Sequence, residues 1–360
     1  MKNLLSYIKT NNDSFDISPI NNADALVFSW ISYFMYPDEC KSSSMTIKDL
    51  CVFQKDKHFF EKAFNQSASK KMLKLLVKSP RFQNAKISDY CEISSASEEK
   101  QFGGIRIEFA PHSYFISYRG TDPSFVGWKE DFNLAYLNTI PSQEEARSYF
   151  QDMVGKDSSG KYYLGGHSKG GNLAVFVSIK CEAEISAKIE KAYSFDGPGF
   201  CTDIFQDENY QLVKDKIFKF IPQASFVGVL FKYHQDYSIV RSNGFLFLQH
   251  DPFTWKIPTN DFIYLKKMFS PSRMLKKRVN DYIYSTSNED RERLIRIIFE
   301  ALFSLKIDNF NVFFRTLFIQ VPALVRCYFR LEKSDKSFFK FMIKKLFLAS
   351  KVKENRKSNI

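Results

Sequence analysis

The chain has 360 residues, 44% hydrophobic and 26% charged, which is the balance of an ordinary folded protein and allows one enlarged domain or two. Its six cysteines are scattered with no CxxC pair and no metal-ligand spacing, so they read as reduced thiols, and neither metal nor cofactor is expected. The net charge is +12, of which residues 311–360 supply 12 − 3 = +9, from 12 Lys/Arg and 3 Asp/Glu. No nucleic-acid module is legible, and a basic tail suits an anionic membrane surface at least as well as a nucleic acid.

In chain order, the first apolar stretch (MKNLLSYIKTNNDSFD) is too short for a signal peptide, and residues 1–18 read as a lead-in. Residues 19–36 have the texture of a helix, with Asn22 or Asp24 near its start. From about residue 89, short β-branched and aromatic runs alternate with helical patterns. That alternation is the mark of an α/β protein with a mostly parallel sheet flanked by helices. Strands are expected at 104–109, 114–118, 162–165, 189–195, 216–221, 237–241 and 245–249, with helices at 143–154 and 170–181. Beyond about Pro258 the strands stop and the chain reads as a basic helical appendage, 259–360. Within it, Ser287 and Asp290 resemble a capping box, and Leu294, Ile297, Ile298, Ala301, Leu302 and Leu305 follow at helical spacing. Arg315 and Arg326 interrupt the best candidate for a membrane span. A cytoplasmic protein is therefore expected, soluble or peripheral to the inner face of the membrane.

The motif that carries chemistry is Gly166-His167-Ser168-Lys169-Gly170, a G-x-S-x-G preceded by the β-like run Lys161-Tyr162-Tyr163-Leu164 and followed by a helical one. A sharp strand-to-helix turn crowds the residues beside the serine, and glycine on both sides removes the Cβ atoms that would clash. Ser168 then sits at a helix N-terminus, where amides favour a developing oxyanion. The plain alternative, a capping serine in a glycine-rich turn, does not require glycine on both sides.

Ser117-Tyr118-Arg119-Gly120-Thr121, then Trp128 and Asp131, then the serine motif, resembles the order and spacing of fungal-type (class 3) lipases. Closer still is the similarity to a bacterial lipase-like family of unknown function, through the phrases RGTD…GWKEDF, GHSKGGNLA, FDGPGF and QHDPF-x-W. The resemblance covers most of residues 19–256, fades in the C-terminal helices, and implies an α/β-hydrolase domain over 19–258. It also implies oxyanion donors at Thr121 (its amide, with the hydroxyl as a further candidate) and at the Lys169 amide. Arg119, Trp128 and Asp131 read as scaffold for that loop. The alternative for Thr121 is a turn residue before Asp122-Pro123.

Of five histidines, only His234 and His250 follow the nucleophile, as the hydrolase order serine, acid, histidine requires. His250 follows the 245–249 run and lies in the matching phrase, so it is the expected base, and His234 reads as a surface residue. The acid is less determined. Fungal-type lipases place it after the second strand beyond the nucleophile helix, and here that segment is Pro222-Gln223-Ala224-Ser225, without a carboxylate. Asp196, after the preceding strand, is the favoured candidate, with Asp236 and then Ser225 as alternatives. Lys169 reads either as a solvated lysine or as a cation at the mouth of the site.

These residues imply a serine hydrolase acting on a carboxylic ester, of lipid or acyl type, through an acyl-enzyme. Amidase, peptidase or acyltransferase chemistry stays open, as does a degenerate hydrolase serving as a binding or scaffold protein. In the tail, Lys333, Lys336, Lys340, Lys344 and Lys351 form an approximate stripe beside Phe338, Phe341, Met342 and Leu346. That pattern suits peripheral contact with an anionic membrane through 333–351, or packing on the domain with the lysines solvated.

Overall fold

The computed structural model describes residues 2–232, 237–305, 307 and 309–348. Its strands are β1 (Met45–Thr46), β2 (Lys86–Ser95), β3 (Lys100–Ala110), β4 (Ser113–Tyr118), β5 (Lys161–His167), β6 (Ile189–Phe195), β7 (Ile217–Pro222), β8 (Tyr237–Val240) and β9 (Tyr264–Leu265), neighbours in chain order across one sheet. β1 to β4 run antiparallel, β4 to β8 parallel, and β9 returns antiparallel on β8. The helices are α1 (Leu4–Thr10), α2 (Asn22–Ile31), α3 (Gln66–Leu76), α4 (Phe125–Asn133), α5 (Pro141–Lys156), α6 (Lys169–Lys180), α7 (Ala183–Ser186), α8 (Tyr210–Val213), α9 (Ser270–Tyr284), α10 (Asn288–Phe303), α11 (Phe310–Arg315), α12 (Leu317–Arg330) and α13 (Lys333–Leu348).

Alternation along the central strands builds a core on each face of the sheet. On β4, Phe115 enters the core beneath α1, α2 and α3, while Ile116 enters the one shared with α5 and α6. α2 begins where Asn21 accepts the amides of Ala23 and Asp24 and the Asp24 carboxylate takes the Asn21 amide. The same carboxylate is gripped by the buried Arg81 guanidinium, Nε at 2.8 Å and Nη2 at 2.5 Å. The segment read as a lead-in contributes to this core, since Leu4, Tyr7 and Ile8 of α1 are buried in it.

Three strand expectations need correction. Residues 245–249 are not a strand, because Leu246–His250 form a 3-10 turn. Ser242 already bridges to Trp255, and the Asn243 amide bonds the Thr254 carbonyl, so the chain between them loops out of the ladder. Strands also do not stop at Pro258, since β9 pairs with β8. At the other edge, β1 and β2 precede the expected start of the sheet, and β2 contributes few buried side chains.

The C-terminal helices pack on α4 and on the loops beyond the sheet. Ile295, Phe299 and Leu302 of α10 cluster with Phe125, and Ser287 accepts the Asp290 amide at the start of that helix. In α13, Met342 is fully buried and Phe338 is packed under the Arg293 guanidinium, whereas Phe341 is exposed. Lys333, Lys340 and Lys344 face solvent, and Lys351 lies outside the described residues. Among the described residues, no helix is long and apolar enough to cross a membrane.

Candidate active site

Parallel register aligns the carboxyl ends of β4 to β8 along one edge, where open α/β sheets bind their ligands. Tyr118 lies opposite Gly166, His167 opposite Phe195, Phe195 opposite Phe220, and Pro222 opposite Val240. The segments that follow these strands carry Thr121, Ser168, Asp196, Ser225 and His250.

Ser168 joins β5 to α6 with φ 57° and ψ −130°, a backbone conformation that costs a non-glycine residue about 1–3 kcal/mol. The turn persists because its surroundings fix it. The Ser168 amide bonds the Phe195 carbonyl at 2.9 Å, and its own carbonyl accepts the Gly171 amide. A Cβ on Gly170 would fall 2.1 Å from the Tyr118 carbonyl oxygen, and one on Gly166 would fall 2.3 Å from the Gly170 carbonyl carbon. The flanking glycines are a steric requirement of the turn. The Gly120–Thr121 turn abuts Ser168, since a Cβ on Gly120 would lie 3.2 Å from that of the serine.

His250 Nδ1 lies 2.7 Å from Asp196 Oδ2, and Asp196 is fully buried. The other carboxylate oxygen accepts the Ser225 hydroxyl at 2.5 Å and the Gly228 amide at 3.1 Å. Asp196 itself has φ 51°, and its amide continues the ladder to the Phe220 carbonyl. The structure thus brings Ser225, the third candidate for the acid, onto the carboxylate of the first. His234 and Asp236 lie outside the described residues. Burial lowers Lys219 of β7 to about 7, against the attraction of Asp196.

Two side chains the sequence reading did not single out secure this arrangement. His167 places Nε2 2.7 Å from the His250 carbonyl oxygen, and the two rings are 4.4 Å apart. Burial and then the neighbouring His250 hold His167 well below the usual histidine range, so it is neutral and its Nε2–H donates to that carbonyl. Its Nδ1 meets the buried Tyr33 hydroxyl at 3.3 Å. His250 is therefore tied through its backbone to the residue preceding Ser168. The available cue was a histidine adjacent to the motif serine, which chain order alone set aside.

The Thr121 hydroxyl donates to Asp131 Oδ2 at 2.5 Å, so it is engaged in holding the loop. Burial raises Asp131 to about 6, opposed by Lys169 and Thr121. The folded protein thus holds a proton there between pH 3.8, the ordinary value, and about 6, so stability falls as pH rises through that window. Asp131→Asn is expected to leave the melting temperature near pH 4 almost unchanged. It should raise stability at pH 8 by roughly 2–3 kcal/mol, read from thermal melts at both values.

Lys169 is neither solvated nor at the mouth of the site. It is completely buried, with Nζ 2.5 Å from Glu130 Oε2 and 2.6 Å from the Gln101 carbonyl oxygen. Glu130 also accepts the Gln101 and Ser142 amides, so the pair welds α4 and β3 to the start of α6. The partner carboxylate lies 39 residues away in sequence, so the local motif gives no sign of this burial. Lys169→Met should cost about 3–5 kcal/mol in urea unfolding by stranding a buried carboxylate, with much of the loss recovered on adding Glu130→Gln.

A mostly parallel sheet with a strained serine at a strand-to-helix turn, and a buried carboxylate on a histidine at the same edge, is an arrangement of the lipase-like α/β-hydrolase fold. The chain belongs to the Mbeg1-like family, whose model matches residues 76–300. Among solved structures it is similar to M37 lipase, at 17% identity over 57% of this chain and 68% of that one, TM-score 0.37. It is also similar to a mutant of MDLA from Penicillium cyclopium (11% identity, 70% and 90% covered, TM-score 0.39). A propeptide complex of Rhizomucor miehei lipase matches at 13% identity, with 62% and 80% covered and TM-score 0.34. No curated protein matches the chain.

Proposed function

We propose that the protein is a serine hydrolase that cleaves a carboxylic ester of lipid or acyl type through an acyl-enzyme. Ser168 attacks the carbonyl carbon while His250 takes the hydroxyl proton, and Asp196 fixes the imidazole and supports its positive charge. The amides of Thr121 and Lys169 receive the oxyanion, a contribution of about 2.7–4 kcal/mol for each donor in comparable sites. The proton then passes from His250 to the leaving alcohol, and water enters by the same base to release the acid.

The observation that carries this reading is the 2.7 Å contact from His250 to a fully buried Asp196, at the same sheet edge as a serine held in a strained turn. An acid held by Ser225 and Gly228 answers the absence of a carboxylate after β7, on which a degenerate scaffold would have rested.

A fluorophosphonate probe tests it, because only an activated serine is labelled. The native chain should be modified on Ser168 at neutral pH and should hydrolyse short-chain p-nitrophenyl esters. An unlabelled, folded chain would reject the proposal in favour of a binding protein.

A further inference from the structure

Four consecutive large apolar side chains stand in solvent just before His250: Phe245, Leu246, Phe247 and Leu248 are 75%, 46%, 67% and 58% exposed. A concentrated run of this kind marks a contact surface, unlike apolar residues scattered singly. It is also firmly presented. Buried Gln249 accepts the Ala224 amide and donates to the Gly244 carbonyl, while Trp255 Nε1 bonds the Gln249 carbonyl. The Phe247 ring meets Phe226 at 5.6 Å. Phe269, 53% exposed at the start of α9, is linked to the base of the loop, its amide bonded to the Gln223 carbonyl. The Gln223 side chain in turn bonds Ser242 at the base of the loop.

The segment around the run is net positive, with Lys277 paired to Asp281 just beyond it. Residues 241–280 contain eight Lys/Arg and two Asp, 8 − 2 = +6. Both carboxylates are already engaged, Asp251 buried on Asn65 and Asp261 on Asn22 and Tyr264. Lys266, Lys267 and Arg273 are exposed next to Phe269.

The geometry points to this rim as a docking surface for an anionic lipid bilayer, with Phe245–Leu248 entering the acyl layer and the cations meeting the headgroups. Bulky apolar groups edged by Lys and Arg are the composition of such a surface. Each basic residue near anionic lipid strengthens binding roughly fivefold, and each buried Phe or Leu by about tenfold or more. A protein seated on this rim would cover the approach to His250, whereas a bilayer seated there supplies lipid to it. The consequence for substrate, an ester drawn from the membrane, rests on the hydrolase reading; the docking does not. The rim also suits this role better than α13, whose Phe338 and Met342 are already packed.

The test is vesicle co-sedimentation of the full chain carrying Ser168→Ala, so that the lipid is not consumed. Binding is expected to vesicles of phosphatidylglycerol mixed with phosphatidylcholine, to weaken with salt, and to be slight on phosphatidylcholine alone. Adding Phe245→Ser/Leu248→Ser should lower partitioning by about tenfold or more, and Lys267→Glu/Arg273→Glu by a comparable factor, with melting temperatures unchanged. Lys340→Glu/Lys344→Glu in α13 should change it by less than about twofold. No binding, equal binding to neutral vesicles, or a loss carried by the α13 variant while the loop variant binds normally would each overturn the assignment. A dimer that dissociates on Phe245→Ser/Leu248→Ser, without vesicle binding, would give the rim to a second copy instead. Sedimentation is read without the serine and probe labelling with it, so either proposal can fail alone.

Discussion

Replacing Ser168 with alanine is expected to lower kcat for a short-chain ester by about 10⁴–10⁶-fold and to abolish fluorophosphonate labelling, with the fold intact. The size follows from the role. On the proposed mechanism no acyl-enzyme forms without the hydroxyl, and what remains is the effect of the two proposed oxyanion amides and of substrate binding on attack by water. The fold should survive because the turn is held by backbone bonds, Ser168 N to Phe195 O and Gly171 N to Ser168 O, which alanine keeps. Alanine also shares the strained φ of 57°, so the melting temperature should move by little, within about 1 kcal/mol of stability. Substrate KM should change far less than kcat. A variant that retains more than about a hundredth of native turnover would place the nucleophile elsewhere.

The parts of the fold legible in the sequence are those where one residue type is demanded at close range. β6 falls on 189–195 as expected, because Ile189, Ala192, Tyr193 and Phe195 are buried and a central parallel strand reads as an apolar run. The serine turn was legible because glycine is demanded on both sides of Ser168, at Gly166 by the Gly170 backbone within the turn and at Gly170 by the Tyr118 carbonyl at the end of β4. Where local pattern and tertiary demand part company, the sequence misleads. Phe245-Leu246-Phe247-Leu248 has strand composition, yet its side chains point into solvent and no strand accepts it. β2 failed in the opposite direction: its polar residues conceal a long antiparallel pairing with β3, set by contacts distant in sequence. The site shows the same division. Ser168 follows from its neighbours, but the burial of Lys169 against Glu130, the link from His167 to the His250 carbonyl, and the support of Asp196 by Ser225 are products of packing. Nothing in the order of the residues announces them.

Asp196→Asn should lower kcat/KM by about 10⁴-fold without unfolding the chain, because the surrounding donors dictate how an amide must sit. Oδ1 of the native carboxylate faces two donors, the Ser225 hydroxyl and the Gly228 amide. An asparagine satisfies both only by placing its oxygen there, which turns its NH₂ toward His250 Nδ1. The imidazole must then accept at Nδ1 and carry its proton on Nε2, so it cannot take the serine proton. The loss should therefore appear in kcat, with KM largely retained and labelling of Ser168 slowed in proportion. Ser225→Ala keeps the acid and removes one charge-assisted hydrogen bond, so its expected cost is about tenfold. Asp196→Asn/His250→Ala should be little worse than either single change, since both disable one unit. Asp236→Asn should turn over at nearly the native rate. The opposite pattern, near-native Asp196→Asn and a collapsed Asp236→Asn, would transfer the acid to Asp236 and leave Asp196 as a buried brace for the β7 loop.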